Sequence, residues 1–428
     1  MYTLPDYSTL AAVLESAGFT GSQSVRVRTG DIVIGGTTTA EEFSLTADAG
    51  HVTVSGTIDA SATYGGSIEI YAGNGLTLES GAVLRAVATD TTDDLGSGSV
   101  VLAITGGTLS IGGGAIDVSG GAGGTVTLRA PVIEQSGADT VNVVYSNATT
   151  ITGANEIVLV GYKTFDLAAL AADSDYVGVT INANGQAELD LSATASGKVN
   201  VLAEYGDGTL VQFVQDFDIS GAAANLGGLT SLSTFHARPG TDLVYSGDIV
   251  LTTNWNLAAG TVDETAAIAA GVMATNSLGN YVVSGREGEL LRDYTEMLYR
   301  TGGSILGEAG VLTIAAGGDL VLKGSISDGF FTFANSLDSD YLAIVAASRP
   351  TAPYSAEANA VTATMAAAGT TVSALDIAVL FPTVTTTGGD TVSPTSWSYV
   401  LVAGAVAAGT SPNPGQINAN TTADLVLE

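Results

Sequence analysis

The stretch Ser55–Ala86 reads SGTIDASATYGGSIEIYAGNGLTLESGAVLRA, and it decides the fold class. Its apolar residues alternate with Ser, Thr, Asp and Glu in short bursts, and turns containing glycine separate the bursts. Alternation with a period of two is typical of half-buried β-strands, and strands this short do not form a stable sheet alone. We therefore expect an all-β chain in which each short strand pairs with an equivalent strand from another part of the sequence.

An internal repeat supplies those partners. The stretches FSLTADAGHVTVSGTIDAS, IEIYAGNGLTLESGAVLRA and VVLAITGGTLSIGGGAIDVSG align with one another, and their equivalent positions lie 24 to 33 residues apart. Three apolar positions recur in each unit, and they are Val52, Leu76 and Leu109; Ile58, Val83 and Ile116; and Leu45, Ile70 and Leu102. A regular period of this length is typical of a solenoid in which each unit stacks on the previous one.

The repeat predicts a parallel β-helix with three sheets, because one whole turn of the chain replaces the crossover helix that parallel strands otherwise need. Residues 21–428 are assigned to this solenoid, although the turns between residues 142 and 232 are not individually assignable. Residues 1–20 are expected to hold a helix, with Leu10, Val13 and Leu14 on one stripe, that covers the end of the solenoid. Insertions on its flank are expected near 285–303, as a second helix, and near 345–395.

Charge and composition exclude several classes of partner. The chain has 43 acidic and 12 basic residues and a net charge of −31, so it lacks the basic footprint that binds nucleic acid or anionic lipid. It has no cysteine, so disulfides and thiolate metal sites are excluded. No apolar run is long enough to cross a bilayer, so no membrane insertion is expected.

Residues for catalysis are scarce, and no catalytic or cofactor-binding residue is predicted. The two histidines, His51 and His236, do not neighbour a nucleophile motif, and Asp59 and Asp117 share a column in which the intervening unit carries Leu84. The corner loop TDTTDDLGSG offers the one candidate metal site, a calcium site formed by oxygen ligands. Its alternative is a solvated acidic loop, and the candidate ligands are Asp90, Asp93 and Asp94.

The ordered set of strand repeats resembles the filamentous haemagglutinin-type large exoproteins of Gram-negative bacteria. The stretches that carry the resemblance are VTVSGTIDASATYGGSIEIYAGNGLTLESGAVLRA, GGTLSIGGGAIDVSGGAGGTVTLRAP, SVRVRTGDIVI, GDIVLTTNWNL, GVLTIAAGGDLVLKGSISDGF and SWSYVLVAGA. The resemblance implies a right-handed parallel β-helix, two-partner secretion, and an extracellular location at the bacterial cell surface. The Asn-rich secretion signature of that family is not found, so the chain is expected to be an internal segment of a longer protein.

The predicted function is structural and adhesive: a stiff β-helical rod in a surface filament or fibre. End-to-end self-association is expected through the edges at SVRVRTGDIVIGG and ADLVLE, because open sheet edges pair readily. A host-cell or glycan ligand is a further expected partner. The alternatives are a β-helix enzyme that processes carbohydrate and a module that binds a glycan through the insertions at 285–303 and 345–395. Trp255 and Trp397 are expected to anchor insertions against the coil or, alternatively, to form a platform for sugars.

Overall fold

A long parallel sheet, here called sheet I, runs through the computed structural model of the protein. The structure describes residues 6–90, 97–135, 138–271, 273–275, 281–283, 294–304, 306–328, 332–333, 377–378, 384–385, 391–392, 395–406, 411–419 and 421–427. Nine strands of sheet I follow one another in chain order, and Thr140–Val141 adds an antiparallel partner to the fifth. The nine are Ser22–Val27, Glu42–Ala47, Ser67–Ala72, Ser99–Ile104, Gly124–Ile133, Ala154–Asp166, Phe235–Tyr245, Val311–Ala316 and Ser398–Ala403.

Three further sheets accompany sheet I, each with five strands. Sheets II and III are wholly parallel, and sheet IV is parallel except for its first pair. Sheet II contains Ile32–Ile34, Val52–Val54, Leu76–Leu78, Leu109–Ile111 and Val143–Tyr145. Sheet III contains Thr37–Thr39, Thr57–Asp59, Val83–Arg85, Ala115–Asp117 and Thr150–Thr152. Sheet IV contains Val179–Ile181, Ala187–Leu189, Ile249–Leu251, Leu320–Leu322 and Leu425–Leu427.

Shorter elements fill the remaining described segments. Two parallel pairs are Tyr176–Val177 with Val199–Asn200 and Trp255–Asn256 with Ile326–Ser327. Four antiparallel pairs are Gly260–Val262 with Thr295–Met297, Met273–Thr275 with Tyr281–Val283, Thr332–Phe333 with Ile377–Ala378, and Val384–Thr385 with Thr391–Val392. The α-helices are α1 (Ser8–Ser16), α2 (Leu167–Ala172), α3 (Leu210–Gln215), α4 (Ala223–Leu226) and α5 (Glu264–Ala269). Single 3₁₀ turns are Ser220–Ala222, Gly227–Ser231 and Thr301–Gly303.

The expected all-β class with parallel sheets is confirmed, and two of the three predicted columns are correct. Leu76 pairs in register with both Val52 and Leu109, and Ile70 pairs with Leu45 and Leu102. The third column is wrong by one residue, because Ile58 and Ile116 pair with Leu84 and not with Val83. Leu84 is the buried member of that strand, whereas Val83 is only partly buried.

The core lies between the sheets, where every second residue of a strand points inward. On sheet I, Leu45, Ile70, Leu102, Leu128 and Leu159 are in register and have no exposed surface. Full burial of one such side chain contributes about 1.5–3 kcal/mol. A ladder of equivalent aliphatic side chains therefore stabilises both the stacking of the strands and its register.

The spacing of strand partners in sheet I changes abruptly along the chain. Up to the strand Ala154–Asp166, paired residues are 20 to 32 positions apart, as with Ser22 and Glu42 or Ser67 and Ser99. Beyond it they are 71 to 87 positions apart, as with Gly240 and Val311 or Val311 and Ser398. Later strands are thus separated by long insertions that hold α2 to α5 and the small antiparallel pairs.

Glycines stand before two neighbouring strands of sheet I, Ser67–Ala72 and Ser99–Ile104, because the chain passes there too close to its neighbour for a side chain. A Cβ at Gly66 would lie 1.8 Å from the carbonyl oxygen of Ala60. The equivalent Gly98 would place a Cβ 1.6 Å from the carbonyl oxygen of Ala86. These contacts require glycine for close backbone approach.

Helix α1 lies within residues 1–20, where the sequence predicts a helix, and it packs on the strand Thr37–Thr39 of sheet III. Of the predicted stripe, Leu10 and Leu14 are partly buried but Val13 is exposed, and Ala11 is the buried residue of the helix. Tyr7, just before it, is fully buried, and its ring packs edge-to-face on Phe43 with centroids 5.6 Å apart. The Tyr7 N–H donates to the carbonyl of Val33 at 2.8 Å, so this segment also pairs with the edge of sheet II. One end of the core is therefore covered.

The helix expected near 285–303 is wrong over its second half. Thr295–Met297 is a strand that pairs antiparallel with Gly260–Val262. Met297 and Tyr299 are buried while Glu296 is exposed, which is the two-residue alternation of a strand and not a helical stripe. Residues 284–293 and most of 345–395 lie outside the described residues. Among the described residues, no helix is both long and apolar enough to span a bilayer.

Candidate functional site

The outer face of sheet I carries an ion pair that is almost completely buried. Because Leu128 and Ala130 point into the core, Arg129 between them points outward; Asp242 faces outward in the same way from the strand Phe235–Tyr245. The Arg129 Nη2 atom donates to Asp242 Oδ2 at 2.5 Å, and the two side chains are only 8% and 9% exposed. An ion pair with so little solvent is expensive to form and must be held by its surroundings.

Tyr162 provides part of that support. The centre of the Arg129 guanidinium lies 3.7 Å from the centroid of the Tyr162 ring, which is a cation–π contact. The Tyr162 hydroxyl donates to the carbonyl of Ile104 at 3.2 Å, so its side chain crosses the strand that bears Arg129. The guanidinium is therefore held between an aromatic face and a carboxylate.

Electrostatics agree with this geometry. Burial alone would lower the pKa of Arg129, but the Asp242 carboxylate together with Tyr162 and Tyr71 outweighs it, and the net pKa is raised. Burial raises the pKa of Tyr162 to about 12, although the nearby Arg129 charge acts in the opposite direction. Burial and the charge of Glu69 raise the pKa of Tyr71, which lies next to Arg129. Arg129 stays charged and both phenols stay neutral at physiological pH.

A cleft of about 390 Å³ opens over this pair, between the outer face of sheet I and the segments Ala405–Val406 and Ser411–Gln416. The wall formed by sheet I carries the charged residues of the cleft and several threonines: Thr105, Arg129, Pro131, Val132, Tyr162, Lys163, Thr164, Asp242, Val244, Thr313 and Ala315. The opposite wall has no charged residue among those that the structure describes: Ala405, Val406, Ser411, Pro412, Asn413, Pro414 and Gln416.

Two buried oxygens at the floor of the cleft have no hydrogen-bond partner among the described residues: Asp242 Oδ1 and Thr313 Oγ1. Asp242 and Thr313 are register neighbours on adjacent strands. Leaving a buried polar atom unpaired costs about 1–3 kcal/mol, so each calls for an explanation.

A second cluster of charges lies farther along the same strands. The Arg238 Nη2 atom donates to Glu156 Oε1 at 2.6 Å, and His236 Nδ1 lies 2.7 Å from Glu308 Oε1. The Thr395 hydroxyl donates to Glu308 Oε2 at 3.1 Å. These contacts connect the strand Phe235–Tyr245 to the chain on either side of the 345–395 insertion.

Arg300 completes this connection and has no exposed surface. Its Nη1 donates to the carbonyl of Gly307 at 2.9 Å and its Nη2 to that of Thr395 at 2.7 Å. Burial lowers the pKa of Arg300 to about 10, although Asp328 and Glu308 act in the opposite direction. Arg300 binds backbone carbonyls on both sides of the 345–395 insertion, and these contacts offer no nucleophile. We therefore assign Arg300 to anchoring that insertion.

The residues singled out from sequence are dispersed. Asp59 and Asp117 do not flank Leu84 as predicted: both pair in register with Arg85, whose Nη1 lies 3.7 Å from Asp59 Oδ2. Of the calcium candidates, Asp90 bonds through its backbone N–H to Thr63, while Asp93 and Asp94 lie outside the described residues. Among the described residues no group of three acidic or histidine side chains could hold a metal ion.

The two tryptophans do not form a platform for sugars, because both are buried, at 0% and 4% exposure for Trp255 and Trp397. Trp255 packs edge-to-face on Tyr299, and Trp397 Nε1 donates to the Tyr299 carbonyl at 3.2 Å. They anchor the insertions against the sheets. His51 is partly buried, with Nε2 3.0 Å from the Thr77 hydroxyl.

The two ends of the sheets differ. Of the predicted joining edge SVRVRTGDIVIGG, the part Ile32–Ile34 is already occupied by Asp6 and Tyr7. At the other end, Leu425–Leu427 pairs only with Leu320–Leu322 within the described part of the chain, and its two leucines are exposed.

A ladder of aspartates leads to this second edge. Asp248 Oδ1 accepts the N–H of Asp319, and Asp319 Oδ1 accepts the N–H of Asp424, both at 2.9 Å. Each carboxylate thus fixes the start of the next strand of sheet IV.

The sequence matches no protein-family model, and no curated protein and no solved structure matches it significantly. The resemblance to filamentous haemagglutinin-type exoproteins therefore stays a prediction.

Proposed function

We propose that the chain is a structural and adhesive element of the bacterial cell surface, built as a stiff rod. In this proposal its parallel sheets are the faces of one right-handed β-helix with three sheets per turn. The observation that carries the proposal is the in-register pairing of nine strands of sheet I, from Ser22–Val27 to Ser398–Ala403. Eight steps of about 4.8 Å make such a stack about 38 Å long.

Rigidity follows from the way the strands are held. Every turn shares backbone hydrogen bonds with its neighbours on several sheets, and aliphatic ladders such as Leu45–Ile70–Leu102 fill the interior. Bending would open many of these bonds at once. The surface charge of a chain with net charge −31 keeps such rods apart laterally.

End-to-end joining in this proposal takes place at the edge Leu425–Leu427. The backbone carbonyl of Asp424 accepts a hydrogen bond from the N–H of Leu320. Because the backbone groups of a strand point alternately to its two sides, the N–H of the next residue, Leu425, faces the open side of the sheet. By the pattern of the aspartate ladder, the Asp424 carboxylate would accept an N–H of the strand that joins. Because α1 and Tyr7 cover much of the opposite end, the joining surface there is the edge of Ser22–Val27.

Electron microscopy of the purified chain tests the proposal. We expect rods, with lengths in multiples of one chain. Leu425→Pro removes the outward N–H and should shorten the rods to single chains, whereas Leu425→Ala keeps that N–H and should leave joining intact. Because one stack is only about 38 Å long, particle outline does not test the β-helix; reconstructed particles without strands stacked about 4.8 Å apart along one axis would contradict it. Single rods that never join in the parent chain would contradict the joining.

A further inference from the structure

We propose that the cleft over Arg129 and Asp242 binds a neutral saccharide through its hydroxyl groups. This inference concerns the outer face of sheet I only, and it does not depend on end-to-end joining.

The charged groups of the cleft are already compensated. Arg129 is paired with Asp242, and Lys163 Nζ lies 2.5 Å from Glu134 Oε1. An anionic ligand would have to compete with Asp242 or Glu134 for its cation, and a cationic ligand would have to compete with Arg129. A neutral ligand enters without separating either pair, so the charge pattern favours one.

The uncharged polar side chains of the lining both donate and accept hydrogen bonds. Hydroxyl groups lie on the sheet side and hydroxyl or amide groups on the other side. They belong to Thr105, Thr164, Thr313, Ser411, Asn413 and Gln416. Sugar hydroxyls also donate and accept, so they match such a lining better than a ligand with acceptors alone.

A peptide is a poorer fit, because extended peptides bind to open sheet edges. The cleft lies over the strands Gly124–Ile133 to Val311–Ala316, which are paired on both sides. Between the polar groups the lining is apolar, with Pro131, Pro412 and Val244 among its residues. Such patches can pack on the C–H face of a sugar ring, and a volume of about 390 Å³ is within the range of small-molecule sites.

The two unpaired oxygens at the floor fit the same ligand class. One bound hydroxyl could donate to Asp242 Oδ1 and accept from the Thr313 hydroxyl. Since both oxygens are buried in the unliganded cleft, we expect the Thr313 side chain to change its χ1 rotamer when the saccharide binds.

The experiment screens the full chain against a panel of neutral gluco-, galacto- and manno-oligosaccharides and their sulfated and sialylated counterparts, followed by calorimetric titration of the strongest binder. Val244→Trp fills the cleft and should weaken binding at least about tenfold. Val101→Trp places the same ring on the outer face of sheet I outside the cleft and should leave binding unchanged. A double variant, Asn413→Ala with Gln416→Ala, tests the polar groups without changing the sheet and should also weaken binding.

The proposal is overturned if no neutral saccharide binds, if only the charged counterparts bind, or if Val244→Trp binds as well as Val101→Trp. Circular dichroism of each variant establishes that it is folded. Because binding is measured on single chains, failure of the rod proposal in electron microscopy is a separate result.

Discussion

Replacing Asp242 by Asn tests how the outer face of sheet I is held together. The substitution keeps the shape of the side chain and removes its charge, so Arg129 is left as a buried cation without a counter-ion. With the two side chains only 8% and 9% exposed, we expect the free energy of unfolding to fall by about 3–5 kcal/mol.

The chain offers a matched control in the ion pair Lys163–Glu134. Its N–O distance is also 2.5 Å, but the side chains are 31% and 63% exposed. Solvent screens such a pair, and Glu134→Gln should cost no more than about 1 kcal/mol. The two variants therefore separate the effect of burial from that of distance.

A double variant completes the design. Arg129→Met alone should destabilise the protein, because it leaves the Asp242 carboxylate buried and unpaired. Arg129→Met combined with Asp242→Leu should be more stable than either single variant, since it removes both buried charges.

The assay is equilibrium urea unfolding followed by the fluorescence of Trp255 and Trp397, the two tryptophans of the chain, both of which are buried. If Asp242→Asn costs no more than Glu134→Gln, the Arg129–Asp242 pair is solvated and the reasoning fails. If the double variant is no more stable than the single ones, the two charges are not coupled.

Two further predictions concern the backbone and pH. Gly66→Ala should lower the free energy of unfolding by about 1–3 kcal/mol, because its Cβ would lie 1.8 Å from the Ala60 carbonyl oxygen. Gly21→Ala, at the equivalent place on the first strand with nothing within 4 Å, should be neutral or slightly stabilising in the same urea assay, and equal costs would refute the close approach. Burial raises the pKa of Tyr162 from 10.0 to about 12. The folded state therefore holds the phenol proton more tightly than the unfolded state does. This contribution to stability, about 2–3 kcal/mol, is complete below pH 10 and is lost as the pH rises through 12. Unfolding measured between pH 9 and pH 12 should therefore show a smaller loss of stability in Tyr162→Phe than in the parent chain, and an identical pH dependence would contradict the assignment.

The strand columns could be predicted because period-two alternation and glycine turns are local signals. The error at Val83 arose where two apolar residues, Val83 and Leu84, are adjacent, so alternation alone does not say which of them points inward. The strands Val143–Tyr145, Thr150–Thr152 and Ala154–Asp166 still continue the repeat, and between residues 167 and 232 the chain leaves it for the segment that holds α2 to α4. The start of α2 was readable, since Asp166 accepts the N–H of Ala168 as an N-cap before the apolar run LAALAA.

The candidate cleft was beyond the reach of the sequence. Arg129 and Asp242 are 113 positions apart in the sequence. They meet on one face of sheet I only because the strand Ala154–Asp166 pairs with both of the strands that carry them. Arg129 is the one charged residue of the strand Gly124–Ile133, and Asp242 shares the strand Phe235–Tyr245 with His236 and Arg238, so each reads as an ordinary outward position. The one sequence signal was the rarity of basic residues, since Arg129 is one of only 12 in the chain.

The change in partner spacing along sheet I bears on how the molecule folds. Closing a loop of about 78 residues costs roughly 1 kcal/mol more conformational entropy than closing one of about 25, so the later strands pair more slowly than the early ones. The first six strands, with partners 20 to 32 residues apart, can therefore assemble first and present a finished edge to the rest. Synthesis from the N-terminus favours the same order, so the early strands act as a template for the later ones.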